Sequence, residues 1–138
     1  MRQIEGDLHL DDLEPEAALR RLVEFTFDRH ADNEDFIRLV MNENIQQGTF
    51  LAQSTSIQQL NVPAIESIRR LYQRGVEQGV FREGLDPVDI HASISALTFF
   101  NVSNRHTFGL IFKDKARSAQ SADRRASITD MVVRFVRK

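Results

Sequence analysis

The polar side chains best suited to bind a ligand occur in one short run that follows directly on an apolar segment. Several of these groups would be desolvated if the apolar helix simply continued, and buried polar groups need hydrogen-bond partners. One hypothesis is that Asn101, Asn104 or His106 points into a pocket and supplies the few directional bonds that an otherwise apolar cavity requires. The alternative is that these side chains cap the helix, bond across a subunit interface or reach the following loop. The run consists of Asn101, Ser103, Asn104, Arg105, His106 and Thr107.

A second concentration of polar residues lies in the segment 42–47. Glu43 shares a helical stripe with Phe36, and an inward-facing carboxylate there would need a cation or a shifted pKa. An internal arginine, such as Arg29 or Arg105, is favoured over a ligand as its partner. The candidate ligand contacts in the first two helices are Phe25, Thr26, Arg29, Leu39 and Glu43.

Patterns typical of catalysis or metal binding are absent from the sequence. There is no Gly-rich phosphate loop, nucleophile elbow, H-E-x-x-H or paired Glu-x-x-His motif. No two of the four histidines are four residues apart, and there is no cysteine, so a metal site is not predicted. We therefore expect neither an enzyme nor a cofactor. An enzyme would instead show an open cleft with convergent titratable groups.

The composition is that of an ordinary folded domain: 138 residues, 41% hydrophobic and 28% charged, with the two classes interleaved. The net charge is −2, and no concentrated basic face is evident that could displace counterions from DNA. The acidic start of the chain is no signal peptide, and no apolar run approaches the roughly 20 residues of a membrane span. A cytoplasmic location without membrane contact is expected.

Apolar residues recur at three- and four-residue spacing almost throughout, which predicts an all-α fold. Asp-Pro, Asn and Gly residues mark the expected helix ends. The segment 49–60 is polar and predicts at most a short or irregular helix. The predicted helices run from about Glu14 to His30 with Asp12 as N-cap, from an N-cap at Asn33 to Gly48 with Phe36, Leu39, Val40 and Glu43 on one face, from Val62 to Gln78 with Asn61 as N-cap and Gly79 after it, from Val88 to Val102 behind Asp86-Pro87, and through Ile128 to Val136 after a loop at 113–121.

The helix after Asp86-Pro87 carries apolar residues around most of its circumference. Such a helix must be covered on all sides, and a chain this small can hardly cover it alone, so a subunit interface is predicted. The last helix has a wide apolar face as well, and the two together can form half of a four-helix bundle completed by a twofold mate. The interface is assigned to about Asp86–Phe108 and Ala122–Arg137. Its candidate residues are His91, Ile94, Leu97, Thr98, Ile128, Met131, Val132 and Phe135.

The segment Gly75-Val-Glu-Gln-Gly-Val-Phe-Arg82, followed by Asp86-Pro87 and an apolar helix, resembles a passage in the C-terminal halves of many TetR-family transcriptional regulators. The stretches 36–44 and 101–108 look like one subset of that family, and the resemblance covers roughly residues 13–112. It implies an all-α regulatory domain over residues 13–138, which binds a small-molecule effector and forms a homodimer. Residues 1–12 then correspond to the end of a linker, where disorder is allowed.

In such regulators the effector shifts the linker helix, and this changes the spacing of the two DNA-binding heads. The family's N-terminal helix-turn-helix is missing from this sequence, so the resemblance implies contact with operator DNA only through that missing domain. The effector itself is not identified by the sequence. The alternative is a helical protein–protein interaction module with a filled interior and no effector pocket.

Overall fold

The computed structural model describes residues 8–54, 62–113 and 122–138, whose regular elements are helices. Single 3-10 turns lie at Leu10–Asp12 and Leu51–Gln53. The predicted all-α fold is confirmed, and extended pairing within the described ranges is limited to one antiparallel bridge between Phe81 and Arg137. None of the described helices is long and apolar enough to cross a membrane. The helices are α1 (Pro15–Asp32), α2 (Glu34–Ile45), α3 (Val62–Glu77), α4 (Pro87–Ser103), α5 (Arg105–Ile111) and α6 (Ala122–Val136).

The hydrophobic core forms around α1, which packs against α3, α4 and α6. Each of these helices turns an apolar side toward α1, because apolar residues spaced three and four apart fall on one face of a helix. Helix α2 lies outside this group and packs mainly on α4. The core includes Ala18, Leu19, Leu22, Val23 and Phe27 of α1, Ile68, Leu71 and Tyr72 of α3, Ile90 and Ile94 of α4, and Ile128, Val132, Val133 and Val136 of α6.

The glycine-containing passage that ends α3 folds tightly back on that helix. The carbonyl of Gly75 accepts hydrogen bonds from the N–H groups of Val80 and Phe81 at 2.9 and 3.1 Å. The buried Phe81 ring stacks on Tyr72 with 6.4 Å between ring centroids. The Tyr72 hydroxyl in turn donates to the carbonyl of Arg82 at 2.6 Å. This passage therefore fixes the path of the chain from α3 into α4.

The helix starts agree only partly with the predicted caps. Asp86 caps α4 as expected, since its carboxylate accepts from the N–H of Val88 at 2.9 Å. Asp12 does not cap α1, because it lies in a 3-10 turn and the helix begins only at Pro15. Asn33 occupies the junction between α1 and α2, but its amide donates to the carbonyl of Arg29 at 2.7 Å instead of capping α2. The predicted cap at position 61 lies outside the described residues.

Helix α2 differs from the prediction in its end and in its buried face. It ends at Ile45, three residues before Gly48, whose positive φ of 74° belongs to the turn that follows. The side chain that α2 buries most deeply is Ile37, at 1% exposure, whereas Phe36 is exposed and Leu39 is 61% exposed. The predicted inward stripe was wrong because α2 carries apolar residues on two sides, and packing against α4 selects the side with Ile37.

The helix predicted from Val88 to Val102 is confirmed as α4, and the stretch assigned to the interface, about Asp86–Phe108, extends past it into a second helix. Helix α4 ends at Ser103, and α5 starts at Arg105 after a turn at Asn104. The hydroxyl of Ser103 donates to the Asn104 side-chain oxygen at 2.7 Å across this break. The break redirects the chain beside α2 and leaves a recess between α2 and the α4–α5 junction.

Candidate functional site

A partly enclosed cavity of about 300 Å³ lies between α2 and the junction of α4 with α5. Its floor is apolar and includes the buried side chains of Ile37 and Val102. Charged and polar groups stand around it, which is the arrangement expected of a small-molecule site. The lining residues are Glu34, Ile37, Arg38, Met41, Val102, Ser103 and His106.

Glu34, the first residue of α2, joins the cavity rim to the start of α5. One carboxylate oxygen accepts from Nε2 of His106 at 3.4 Å, and the other accepts from the guanidinium of Arg105. The hydrogen bond from His106, together with the charge of Arg105, holds the pKa of Glu34 below its ordinary value. Glu34 is therefore ionised at neutral pH. Because the pairs are partly exposed, they position α2 against α5 more than they stabilise the fold.

Arg38 stands at the same rim, one helical turn after Glu34. It makes no ion pair with any residue in the described ranges, and its side chain is exposed. Since Arg105 and Glu34 neutralise each other, Arg38 gives the rim a net positive charge. The remaining polar groups already use their hydrogens inside the protein: His106 Nε2–H on Glu34 and the Ser103 hydroxyl on Asn104. Among the lining residues, Arg38 therefore carries donors that no carboxylate of the described chain pairs.

Of the polar run that ends α4, the structure brings His106 and Ser103 to the cavity. Asn101 is buried: its amide donates to the carbonyl of Leu97 at 2.7 Å, and its oxygen accepts from Nε of Arg124 at 3.2 Å. Asn104 is exposed at the helix break. Asn104 lies at the C-cap position of α4, in line with the capping alternative, whereas Asn101 joins α4 to α6 of the same subunit, a role that was not predicted.

The other ligand candidates, on α1 and α2, do not line the cavity. Leu39 points to the opposite side of α2, as its exposure shows. Glu43 accepts from the backbone N–H of Leu51 at 3.1 Å, and its predicted contact with Arg105 is wrong, because Arg105 binds Glu34. Thr26 donates to the carbonyl of Leu22 within α1 at 2.8 Å. Phe25 and Arg29 are half-buried on α1.

The cavity residues that sequence reasoning did not single out are mostly on α2. Glu34 and Arg38 are four residues apart, as are Ile37 and Met41, so each pair lies on one side of a helix. This spacing is compatible with an inward face of α2 formed by these residues, but the stripe of Phe36, Leu39 and Val40 predicted a different inward face equally well. The tertiary contact with Val102 was needed to choose between them.

A second polar group is enclosed between α1 and α4. Nδ1 of His30 lies 3.0 Å from the hydroxyl oxygen of Thr98, which itself donates to the carbonyl of Ile94 at 2.8 Å. The Thr98 oxygen is therefore the acceptor, and Nδ1 of His30 carries the proton. Burial lowers the pKa of His30, and nearby Arg29 and His91 add to the effect. Burial also lowers the pKa of His91, so both imidazoles are neutral at pH 7.

The predicted interface residues separate into an inner and an outer set. Ile94, Thr98, Ile128 and Val132 are buried inside the subunit, which corrects their assignment to a partner-facing surface. The physical reason is that the core around α1 already covers this side of α4 and α6. The remaining candidates reach the outside to different extents: Met131 is exposed, and His91, Leu97 and Phe135 are half-buried.

The outward face of α4 carries a different stripe from the predicted one. Its residues follow one another at four-residue spacing, are exposed and are uncharged. Asp89, in the first turn of α4, is exposed beside this stripe, and beyond it the exposed residues of α4 carry no charge, which is unusual for a surface in contact with water. The stripe consists of Val88, Ala92, Ala96 and Phe100.

The chain matches known proteins along most of its length. A family model described as "Tetracyclin repressor-like, C-terminal domain" matches residues 15–133. The chain is also similar to the HTH-type transcriptional repressor NicS of Pseudomonas putida, with 31% identity over 137 residues, or 99% of this chain and 65% of that repressor. It thus spans slightly less than two thirds of this relative's length. Both matches point to a regulator and not to an enzyme. The chain belongs to the TetR family of transcriptional regulators, as a C-terminal regulatory domain.

Proposed function

We propose that this domain binds a small-molecule effector in the cavity between α2 and the α4–α5 junction, and that it forms a homodimer through the outward faces of α4 and α6. The observation that carries the sensing role is the cavity itself, with an apolar floor beneath a charged rim. At about 300 Å³ it is at the lower end of the range of small-molecule sites. The expected effector is therefore small.

The cavity is placed where a ligand can alter helix packing. Glu34 and Arg105 join α2 to α5 beside it, and a ligand seated on Ile37 and Val102 would change how α2 rests on α4. A ligand shifts a conformational equilibrium only by its difference in affinity for the two states. The effector must therefore bind the arrangement that releases DNA more tightly than the arrangement that holds it.

The segment that precedes α1 offers a route from this domain to a DNA-binding head in a full-length regulator. Arg74 of α3 donates to the carbonyls of Leu10, at 3.2 Å, and Leu13. Arg21 of α1 donates to the carbonyl of Leu8 at 3.2 Å, and Leu10 is buried in the core. Because this segment is tied to α1 and α3, a change in the packing of those helices would move it.

Sensing can be tested by methyl NMR on the labelled domain with a library of small neutral, anionic and cationic compounds. The expected result is that binding compounds shift the methyl signals of Ile37, Met41 and Val102 and leave those of Leu71 in place. Replacing Ser103 by Trp should fill the cavity and abolish these shifts, whereas Ala17→Trp on the exposed side of α1 should not. Shifts that avoid the cavity, or that survive in Ser103→Trp, would contradict the proposal.

Dimerisation is supported by the uncharged outward stripe of α4 and the exposed Met131 of α6. Ala96→Glu places a charge on that stripe without disturbing the core, because Ala96 is exposed. Sedimentation equilibrium should give twice the chain mass of 15.9 kDa for the parent and a single chain mass for Ala96→Glu. Ala17→Glu, an exposed alanine on α1, is the matched control and should stay dimeric. A dimer that persists in Ala96→Glu would refute this interface.

A second candidate function is a protein–protein interaction module without an effector. The observation that favours it is the apolar tip of α5, where Leu110 is 74% exposed and Ile111 and Phe112 are exposed beside it. Such a patch is typical of a docking surface. An interaction module would show no compound-induced shifts at the cavity, so the NMR experiment distinguishes the two functions.

A further inference from the structure

We propose that the cavity selects a small organic monoanion, an apolar ring or chain that bears a single carboxylate, with Arg38 as its charge partner. This inference rests on the proposed sensing function and adds the chemical class of the effector. The charges that surround the cavity, its volume and its apolar floor carry the inference together.

The charge pattern favours an anion over a cation or a neutral molecule. Glu34, the acidic residue of the lining, is already engaged by Arg105 and His106. Arg38 makes no ion pair within the described ranges, and a guanidinium presents paired N–H donors that match a carboxylate. A carboxylate at the rim would therefore find free donors. An ammonium group would meet the cation of Arg38, which no carboxylate of the described residues pairs, and the carboxylate of Glu34, which is already occupied.

The floor requires an apolar body attached to that carboxylate. Ile37 and Val102 are buried side chains that form the floor with Met41, and none of the three presents a charged group. A volume of about 300 Å³ admits roughly ten non-hydrogen atoms if each occupies about the space of a water molecule. A benzene or cyclohexane ring with one carboxylate has about that size.

The rim also argues against a second negative charge on the ligand. The ionised carboxylate of Glu34 lines the same cavity as Arg38, four residues away on one side of α2. A dianion that placed one carboxylate on Arg38 would bring its second one toward Glu34, and like charges brought together in a partly desolvated site repel. Arg38 thus attracts one carboxylate, and Glu34 limits the number to one.

The test compares benzoate with benzamide, benzylamine and phthalate, titrated into the whole domain and followed at the methyl signals of Ile37, Met41 and Val102. Benzoate is expected to bind about three to ten times more tightly than benzamide, the range for a charge-assisted contact at a partly exposed rim. Phthalate and benzylamine should bind more weakly than benzoate. Arg38→Gln should remove the preference for benzoate and leave benzamide binding unchanged, whereas Arg38→Lys should retain part of it.

Arg69→Gln on α3 is the matched control, because it removes a surface arginine that does not line the cavity. The class of ligand is refuted if benzamide binds as tightly as benzoate, or if Arg38→Gln and Arg69→Gln have the same effect. In those cases cavity binding, and with it the sensing function, still stands. If neither benzoate nor benzamide shifts the cavity methyl signals, both the ligand class and the assignment of this cavity as the sensing site are overturned.

Discussion

Replacing Gly75 by Ala should destabilise the domain, although alanine is the better helix former. Gly75 is a buried residue of α3, and a Cβ atom added to it would lie 1.9 Å from Cδ2 and 2.5 Å from Cε2 of the Phe81 ring. Ordinary contact begins at 3.4 Å, so the ring would have to retreat by about 1.5 Å. This close approach is the reason a glycine occupies the position.

The ring has little freedom to retreat. Phe81 is buried and stacked on Tyr72, and its backbone N–H is bound to the carbonyl of Gly75 itself. Tyr72 is held in turn, because its hydroxyl bonds the backbone of Arg82 and Leu85. Overpacking a core costs about 1–3 kcal/mol, and a site this constrained belongs at the upper end. Alanine is more favourable than glycine inside a helix by about 1 kcal/mol, which offsets part of this cost.

The net loss expected for Gly75→Ala is about 2 kcal/mol in the free energy of unfolding, or roughly 4–10 °C in Tm. Urea denaturation followed by circular dichroism at 222 nm measures it, at one fixed protein concentration because a dimer's stability depends on concentration. Gly48→Ala is the control. Unlike Gly75, Gly48 has a positive φ, and no atoms lie within 4 Å of the added Cβ, so Gly48→Ala should cost about 1 kcal/mol through backbone strain alone.

A double-mutant cycle separates the steric effect from the backbone effect. Phe81→Leu leaves room beside position 75, so Gly75→Ala should cost less in the Phe81→Leu background by about 1 kcal/mol or more. The cost of Gly48→Ala should be the same in both backgrounds. The reasoning is refuted if Gly75→Ala leaves stability unchanged or raises it, or if the two substitutions are additive.

Two further predictions concern ionisable side chains, one an ion pair between helices and the other a pair of partly buried histidines. Arg125→Gln should lower the free energy of unfolding by about 1 kcal/mol, because the Arg125 guanidinium donates to both Asp28 oxygens, at 3.0 and 2.8 Å. The pair is partly exposed, so the loss should be smaller at high salt. Equal losses at low and high salt would contradict this prediction. Burial lowers the pKa values of His30 and His91, so below about pH 6.5 the unfolded chain binds more protons than the folded one, and the free energy of unfolding should fall as the pH drops from about 7.5 to about 5.5. His91→Gln should make that fall smaller in urea denaturation, and an undiminished slope would exclude His91 as a source.

Local signals in the sequence were sufficient for most of the helices. Asp86-Pro87 predicted the start of α4, and the structure contains the corresponding cap, because this hydrogen bond involves only neighbouring residues. In α3 the apolar residues likewise recur at three- and four-residue spacing, and Ile68 and Tyr72 of that stripe are buried. Asp12 failed as a cap because a 3-10 turn intervenes before Pro15, and no local rule indicates such a turn.

The site was predicted less completely than the fold. His106 was identified from its place in a polar run, and it lines the cavity. Glu34 binds His106, 72 positions away, and Arg105, 71 positions away. Helical periodicity relates only neighbouring turns, so it could not predict these contacts. Asn101 looked equally suited to a ligand, but the packing of α6 beside α4 assigns its amide to Arg124.

The sequence alone predicted an all-α domain and, through a resemblance carried partly by the passage from Gly75 to Arg82, its family, and both predictions are confirmed. Only the tertiary structure decided which face of each helix is inside. Helix α4 is apolar on nearly every side, so its periodicity does not distinguish Ile94, which is buried in the core, from Ala96, which faces outward. The physical reason is that burial depends on which neighbouring helices reach a face, and those neighbours come from distant parts of the chain.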